Sequence, residues 1–582
     1  MAPSSPTSNS EDEFLDEGLH DHILLEHFPS DPIPPSASRS PSPPKAVLSS
    51  QSSEAPLEEA PVSQEWVNLD EEASDEAWQI ALLQSLQTTE SNRPNPSNPP
   101  SEHESTHPIT PSRETKRPQE VIELTYEDLL GARGTAKRSR RSNCPVEPIY
   151  LQGKILKTPL IVDGTVNASP ASALHTGIIS IPQIVSPGAT RALVTTFVVD
   201  PPWLLPQLPK DMPLTIVRHW SPKEGEKAGV TFLSDYLSIY HPPLPKDEAF
   251  CSLHGKLWII EYPGFIRIAI GSGNLLALDW EILENVIFIQ DFPRRSSSPG
   301  SDTLLKHSPF QCDIQDYLTA LQVPKALVPT LQDFDYSKAK VHVVASVHGS
   351  YEMHEEKWGI GKLASITKKW AIPPSPKGCL TCQTSSLGSM DEIWLRFLWN
   401  VSQGRSLIQA RTLAMDESTV ANVQILFPSE SAIQKDPLEG AGAHSFFLST
   451  DMYARYNWPK RALHEGVSSR GRSLMHTKMI LADLREAMDT SSDPEEVVGW
   501  VYLGSHNLTK AAWGHMRGFK RPSMMCNNYE IGIVLPIRRK DTSGSDAAWI
   551  PDWLPIPWDH PPSPYPPGEI PCLRHKSVFR KG

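Results

Sequence analysis

No stretch of this 582-residue chain approaches the roughly 18 uninterrupted apolar residues that a bilayer crossing needs, so no membrane-spanning segment is expected. The first ~20 residues also lack a basic start followed by an apolar run, and no secretory signal is expected there. Cysteine is sparse: seven residues, odd in number and scattered, which suits a reducing compartment better than a disulfide framework. Cys379-x-x-Cys382 is a lone CxxC with no second pair at a convincing spacing, and reads as two loop cysteines rather than a zinc site. Clusters of carboxylates that would bind a metal are missing as well. Neither a metal nor another cofactor is therefore expected.

Basic residues are nearly absent from the front of the chain. Residues 1–112 hold 20 Asp and Glu against Arg39, Lys45 and Arg93, a net charge of −17. The whole chain carries −14, which leaves +3 for the remainder, slightly basic and able to face a polyanion. The 57 prolines also crowd toward this end. Such a composition buries too little apolar surface to offset the entropy of ordering, so residues 1–147 are expected to be a disordered tail. Within it, Asp70–Gln87 places Trp78, Ala81, Leu82, Ser85 and Leu86 at helical spacing after an acidic lead-in. It resembles a ubiquitin-interacting motif, with Trp78, Ala81 and Ser85 as contacts; a generic amphipathic helix is the alternative. Glu120–Asp128 sets Val121, Ile122 and Leu124 between acids and resembles a SUMO-interacting motif, which docks by adding a strand to a sheet edge. A strand used within the protein is the alternative. The basic cluster Lys137–Arg141, with Lys116 and Arg117 upstream, reads as a nuclear localisation signal or a loose nucleic-acid contact.

Beyond residue 147 short β-type runs (RALVTTFVVD, WIIEY, IRIAIGS, VIFIQD, KVHVVASV, VQILFP) alternate with helical ones (CDIQDYLTALQV, MDEIWLRFLWNVSQ). That alternation predicts an α/β fold of layered sandwiches in two halves, residues 148–333 and 334–582. A repeat supports the division. The first half contains His254-x-Lys256 and Gly271-Ser272-x-Asn274; the second contains His476-x-Lys478 and Gly504-Ser505-x-Asn507. Each HxK lies in an apolar β-prone run, which predicts that it is on a strand with His and Lys on one side. Two imidazoles, two ammoniums and two carboxamides in one space make a site for a phosphate group. One histidine can attack phosphorus, dividing a hard displacement into two steps. The other can protonate the leaving oxygen and then deprotonate water. Lysines and asparagines would hold the non-bridging oxygens. Each half supplies one histidine, so the halves must meet at a shared site.

HxK followed by GSxN, twice, resembles the phospholipase D superfamily. SxNLTKAAWG at Ser505–Gly514, SGNLLALDW at Ser272–Trp280, QTSSLGS at Gln383–Ser389, NYEIGIVLP at Asn528–Pro536 and PIPWDHPP at Pro555–Pro562 are similar to the tyrosyl-DNA phosphodiesterases within it. The likeness runs from about residue 150 to 565. It implies two pseudo-symmetric phospholipase D-like sandwiches sharing one active site. It further implies His254 as nucleophile, His476 as general acid/base, and Lys256, Lys478, Asn274 and Asn507 as phosphate ligands. Glu530 would orient one of the histidines, and Ser385, Ser386 and Thr509 would contact the DNA backbone. The implied substrate is a DNA 3′ end, mainly single-stranded, joined through phosphate to a topoisomerase I tyrosine. A monomeric nuclear DNA-repair enzyme is the expectation.

Four departures from the family pattern stand out. Glu261 and Asp483 lie five residues after the lysines, where phospholipases carry Asp and tyrosyl-DNA enzymes generally carry no acid. They keep a lipid phosphodiesterase or general nuclease open as an alternative. The spacing from lysine to asparagine is 18 residues in the first repeat and 29 in the second, the excess reading as an exposed loop. Asn285 stands where the family tends to carry Gln, which puts the amide's support of a histidine in doubt. The ending from Cys572 lacks the aromatic-rich last segment expected. A catalytically inactive scaffold recruited through the tail is a third reading, opposed by the intact His and Lys pairs.

Overall fold

The computed structural model describes residues 146–162, 165–166, 177–220, 226–245, 251–295, 308–372, 377–418, 421–438, 440–485, 493–518, 521–542 and 549–574. The expected ubiquitin- and SUMO-type segments and the basic cluster at Lys137–Arg141 lie outside these residues.

Two sheets carry the fold. The first has eight strands in the order Lys154–Lys157, Val286–Pro293, Phe265–Gly271, Leu257–Glu261, Arg191–Thr196, Leu214–Arg218, Leu237–His241, Gly229–Ser234. The second has seven, in the order His342–Ser346, Glu530–Arg538, Val497–Gly504, Met479–Asp483, Cys379–Gln383, Val423–Phe427, Leu463–Glu465. Matched from their first strands, the two sheets pair alike. Four antiparallel junctions are followed by two parallel ones in each. This mixed pattern is outside what periodicity can predict, because parallel neighbours require long crossovers.

Alternation along each strand explains how the sheets stack. Leu257, Ile259, Ile266, Ile268 and Ile270 of the first sheet share one apolar core with Leu481, Val501, Leu503, Ile531 and Ile533 of the second. The opposite faces bury Trp258 and Ile260 against the short helices Ile181–Ile184 and Pro201–Leu204, and Ile480, Trp500 and Tyr502 against Gly359–Lys369, Glu392–Ser402 and Leu407–Ala414. A strand apolar on both faces is buried on both, which is why LWIIE and MILA read as continuous runs. The helix expected near CDIQDYLTALQV is Pro309–Ala320, and its Phe310, Ile314, Tyr317 and Leu318 enter the shared core. The result is an α/β molecule whose halves are fused along a common apolar layer.

Buried charge is paired within this frame. Arg267 points to the outer face of the first sheet, where it binds Asp291 at 2.7 and 2.9 Å and stacks on Tyr150 and Tyr262. Cys379 and Cys382 lie on a strand rather than a loop, and no group of three or more metal-type ligands exists among the described residues. The described end of the chain docks without forming a strand: Cys572 N–H donates to Pro428 and Arg574 N–H to Leu448.

Candidate active site

Both HxK tripeptides lie just ahead of their strands, not on them: Leu257 and Met479 are the first strand residues. Both GSxN motifs begin on the last residue of the neighbouring strand, Gly271 or Gly504. In an antiparallel pair these two ends coincide. The four motifs therefore gather at one edge of the two sheets.

The halves are stitched together at this edge by reciprocal bridges. Leu253 pairs with Tyr529, and Met475 with Glu284. Each bridge thus joins the residue before a catalytic-type histidine in one half to the residue before Glu530 or Asn285 in the other. The serines of the two GSxN motifs are also used alike. Ser505 Oγ donates to Glu530 Oε2 at 2.5 Å and accepts Ile531 N–H; Ser272 Oγ donates to Asn285 Oδ1 at 2.8 Å and accepts Val286 N–H.

The geometry answers which histidine Glu530 touches. Its Oε2 lies 2.8 Å from His254 Nδ1, across the interface between the halves. Burial works to raise the Glu530 carboxyl, but His254 and the nearby lysine outweigh it and leave it at about 2. Burial lowers the His254 imidazole, and Lys256 adds to that. A neutral ring donating Nδ1–H to a carboxylate leaves Nε2 with a free lone pair. Phe197 packs edge-on against the same ring at 5.4 Å between centroids.

Lys256 and Lys478 fold back alike, each ammonium donating to the carbonyl of its own histidine at 2.5 and 2.6 Å. Both are buried. Burial, and then repulsion from Lys256, hold Lys478 well below an ordinary lysine. Two such groups facing one space favour an anion between them. Asn507 Oδ1 accepts from Thr384 Oγ1, Ser385 Oγ and the N–H groups of Ser385 and Ser386, which turns its NH₂ away from that loop. Ser385 is thus buried support for Asn507, and Thr509 Oγ1 accepts Ala512 N–H as a helix cap. Of the three residues expected to touch DNA, Ser386 alone is partly exposed.

Comparison with known proteins matches this architecture. The family model described as tyrosyl-DNA phosphodiesterase fits residues 165–566. The chain belongs to the tyrosyl-DNA phosphodiesterase family. It is 26% identical over 516 residues to tyrosyl-DNA phosphodiesterase 1 of Arabidopsis thaliana, covering 78% of this chain and 80% of that one. It is also 26% identical over 351 residues to tyrosyl-DNA phosphodiesterase 1 of Drosophila melanogaster, covering 56% and 57%. A solved structure of a yeast tyrosyl-DNA phosphodiesterase mutant superimposes with a TM-score of 0.50 at 16% identity, over 72% of this chain and 99% of that one, and so shares the phospholipase D-like fold. As a tyrosyl-DNA phosphodiesterase, the protein is a DNA-repair hydrolase of phosphodiester bonds.

The departures from the family pattern resolve locally. Glu261 pairs with Arg191 and Arg294, and Asp483 with Arg485, at the far ends of strands whose other ends hold the site. Asn285 does not reach His476; its amide is spent on Ser272 Oγ and the Asp279 carbonyl. The residue found against His476 is Asp279, Oδ2 to Nδ1 3.3 Å, which sequence reasoning passed over. Its position five residues after the GSxN asparagine was the available signal. The excess between Lys478 and Asn507 extends a hairpin, whose residues 486–492 lie outside the described set.

Gly255, between His254 and Lys256, is required by packing. A Cβ there would lie 2.1 Å from Tyr317 Oη and 3.2 Å from Ile531 Cγ2. Tyr317 Oη is buried and has no hydrogen-bond partner among the described residues. Gly255→Ala is expected to destabilise the protein by about 1–3 kcal/mol and to lower activity by displacing its neighbours. Tyr317→Phe should be near neutral, since it removes an unsatisfied hydroxyl, and should restore most of the loss when combined with Gly255→Ala. Denaturant unfolding of the four proteins checks this; simple additivity of the two changes would rule it out.

The buried histidines set a pH dependence of stability. Burial is the largest cause holding His476, His506 and His515 at about 4. Unfolded, they titrate near 6.5, so below that pH the unfolded chain binds protons that the folded chain does not. Stability therefore falls as pH drops from about 6.5 toward 4, by roughly 3 kcal/mol per such histidine at full extent. Glu530 and Asp279, both held at about 2, stabilise fully above the unfolded carboxylate range and lose that contribution only as pH falls toward 2. Melting temperatures should begin to fall at mildly acidic pH, before carboxylates titrate. A melting temperature constant down to about pH 4.5 would contradict this.

Proposed function

We propose that this enzyme hydrolyses the 3′-phosphotyrosyl bond that joins DNA to a trapped topoisomerase I peptide, through a covalent phosphohistidine. His254 Nε2 attacks phosphorus while His476 protonates the departing tyrosine; His476 then takes a proton from water, which displaces His254. Lys256, Lys478, Asn274 and Asn507 hold the non-bridging oxygens. The observation that carries this reading is the Glu530–His254 contact across the halves, which leaves one histidine nucleophilic beside a second that is differently supported. Acid catalysis suits the leaving group: tyrosine has a pKa of about 10, so its release at neutral pH gains about 4 kcal/mol from a proton.

The lipid phosphodiesterase alternative rested on Glu261 and Asp483, and both are engaged with arginines away from the site. The basic cluster at Lys137–Arg141 supports a nuclear location. The segments around Trp78 and Ile122 would recruit the enzyme to ubiquitin- or SUMO-bearing partners.

The deciding experiment incubates a single-stranded oligonucleotide bearing a 3′-phosphotyrosine with the enzyme in EDTA. Release of tyrosine and a 3′-phosphate end is expected. An inert oligonucleotide together with cleavage of a phosphatidyl headgroup would move the assignment to lipid chemistry.

A further inference from the structure

Each half presents a side chain to the histidine of the other half, and the two halves do so from different positions. In the second half the group is Glu530, which begins its strand and reaches His254. The matching position in the first half is Asn285, whose amide is already engaged with Ser272 and the Asp279 carbonyl. Counting five residues from the GSxN asparagines matches Asp279 with Ala512. Where the strand position carries the acid, the short helix after GSxN (Lys510–Trp513) carries a methyl group; where the strand position carries an amide, the matching helix (Leu278–Ile282) carries the acid. Each half therefore contributes one buried carboxylate.

Asp279 is 1% exposed. Its Oδ2 accepts the Asn274 N–H at 2.5 Å and lies 3.3 Å from His476 Nδ1. The histidine contact is longer than the 2.8 Å Glu530–His254 bond and falls short of hydrogen-bond alignment, as catalytic contacts in unliganded sites often do. The other charges facing His476 are Lys478 and Lys256, both of which oppose its protonation. Asp279 supplies one opposing charge and the bound phosphodiester anion would supply a second, so that His476, held at about 4 in the free site, takes up its proton when that anion binds. Burial works to raise its own carboxyl, but His476 and Lys478 hold it at about 2, so it stays ionised.

We infer that Asp279 is the positioning carboxylate of His476, fixing Nδ1–H so that Nε2 carries and returns the proton of the reaction. This rests on the proposed roles of the two histidines. In the first step the His254 Nε2–P bond forms, the P–O bond to tyrosine breaks, and the His476 Nε2 proton passes to the tyrosine oxygen. In the second, water gives a proton to His476 Nε2 and its oxygen bonds to phosphorus as the N–P bond breaks. Asp279 remains ionised throughout and offsets the imidazolium charge, so the cycle closes without net proton uptake at the protein.

Asp279→Asn tests this, because the amide oxygen can still accept the Asn274 N–H. Single-turnover release is measured from two oligonucleotides, one with a 3′-phosphotyrosine and one with a 3′-p-nitrophenyl phosphate, whose leaving group needs far less protonation. The variant should lose ~10²-fold or more on the tyrosyl substrate and less than about tenfold on the p-nitrophenyl one. The ratio of the two rates is independent of the fraction of folded enzyme. Asp279→Glu, which keeps the charge, should return that ratio toward the wild-type value. Equal losses on both substrates would overturn the inference while leaving the wild-type reaction intact. Wild-type enzyme inactive on both would overturn the reading of the site itself, and the inference with it.

Discussion

His254→Ala is expected to lower cleavage of a 3′-phosphotyrosyl oligonucleotide by at least ~10⁴-fold, because on the proposed mechanism it removes the atom that bonds to phosphorus. The loss should fall on kcat with little change in substrate binding, since Lys256, Lys478 and the two asparagines remain. The fold should survive: Glu530 keeps Ser505 and Asn528 as hydrogen-bond donors after the imidazole is gone. A melting curve taken on the same preparation separates lost chemistry from lost structure. Activity within tenfold of wild type would remove His254 from the nucleophile's role.

His476→Asn should give a different phenotype, a covalent protein–DNA species that survives denaturing electrophoresis. On the proposed mechanism, attack by His254 does not use His476, although departure of tyrosine does. Hydrolysis of the resulting N–P bond needs a base for water, and an amide cannot act as one. The first step should slow by ~10²-fold and the second by more, so the adduct accumulates. A p-nitrophenyl leaving group should let the adduct form at nearly the wild-type rate, giving a burst of one equivalent. Steady turnover by this variant without any adduct would show that His476 is not the group that activates water.

Much of this site was legible from residue order alone. The duplicated HxK and GSxN motifs named His254, Lys256, Asn274, His476, Lys478 and Asn507, and the apolar runs beside them located the central strands. Their exact placement was misjudged by a few residues: the tripeptides sit ahead of the strands, because β-prone composition does not mark where pairing stops. Asp279 was missed because its meaning depends on a residue nearly 200 positions away. No local pattern distinguishes an acid that only accepts a nearby backbone N–H from one that also faces the other half's imidazole.

The pattern of this one chain determined the chemistry it can perform. Side-chain type fixes what can attack phosphorus, what can carry a proton and what can hold an anion, and that information is local. Tertiary structure decided the pairings. It assigned Glu530 to His254 and Asp279 to His476, set Ser385 against Asn507, and paired Glu261 and Asp483 with arginines at the far ends of their strands. These are contacts across two sheets that share a core, and their distances are set by how that core packs rather than by spacing along the chain.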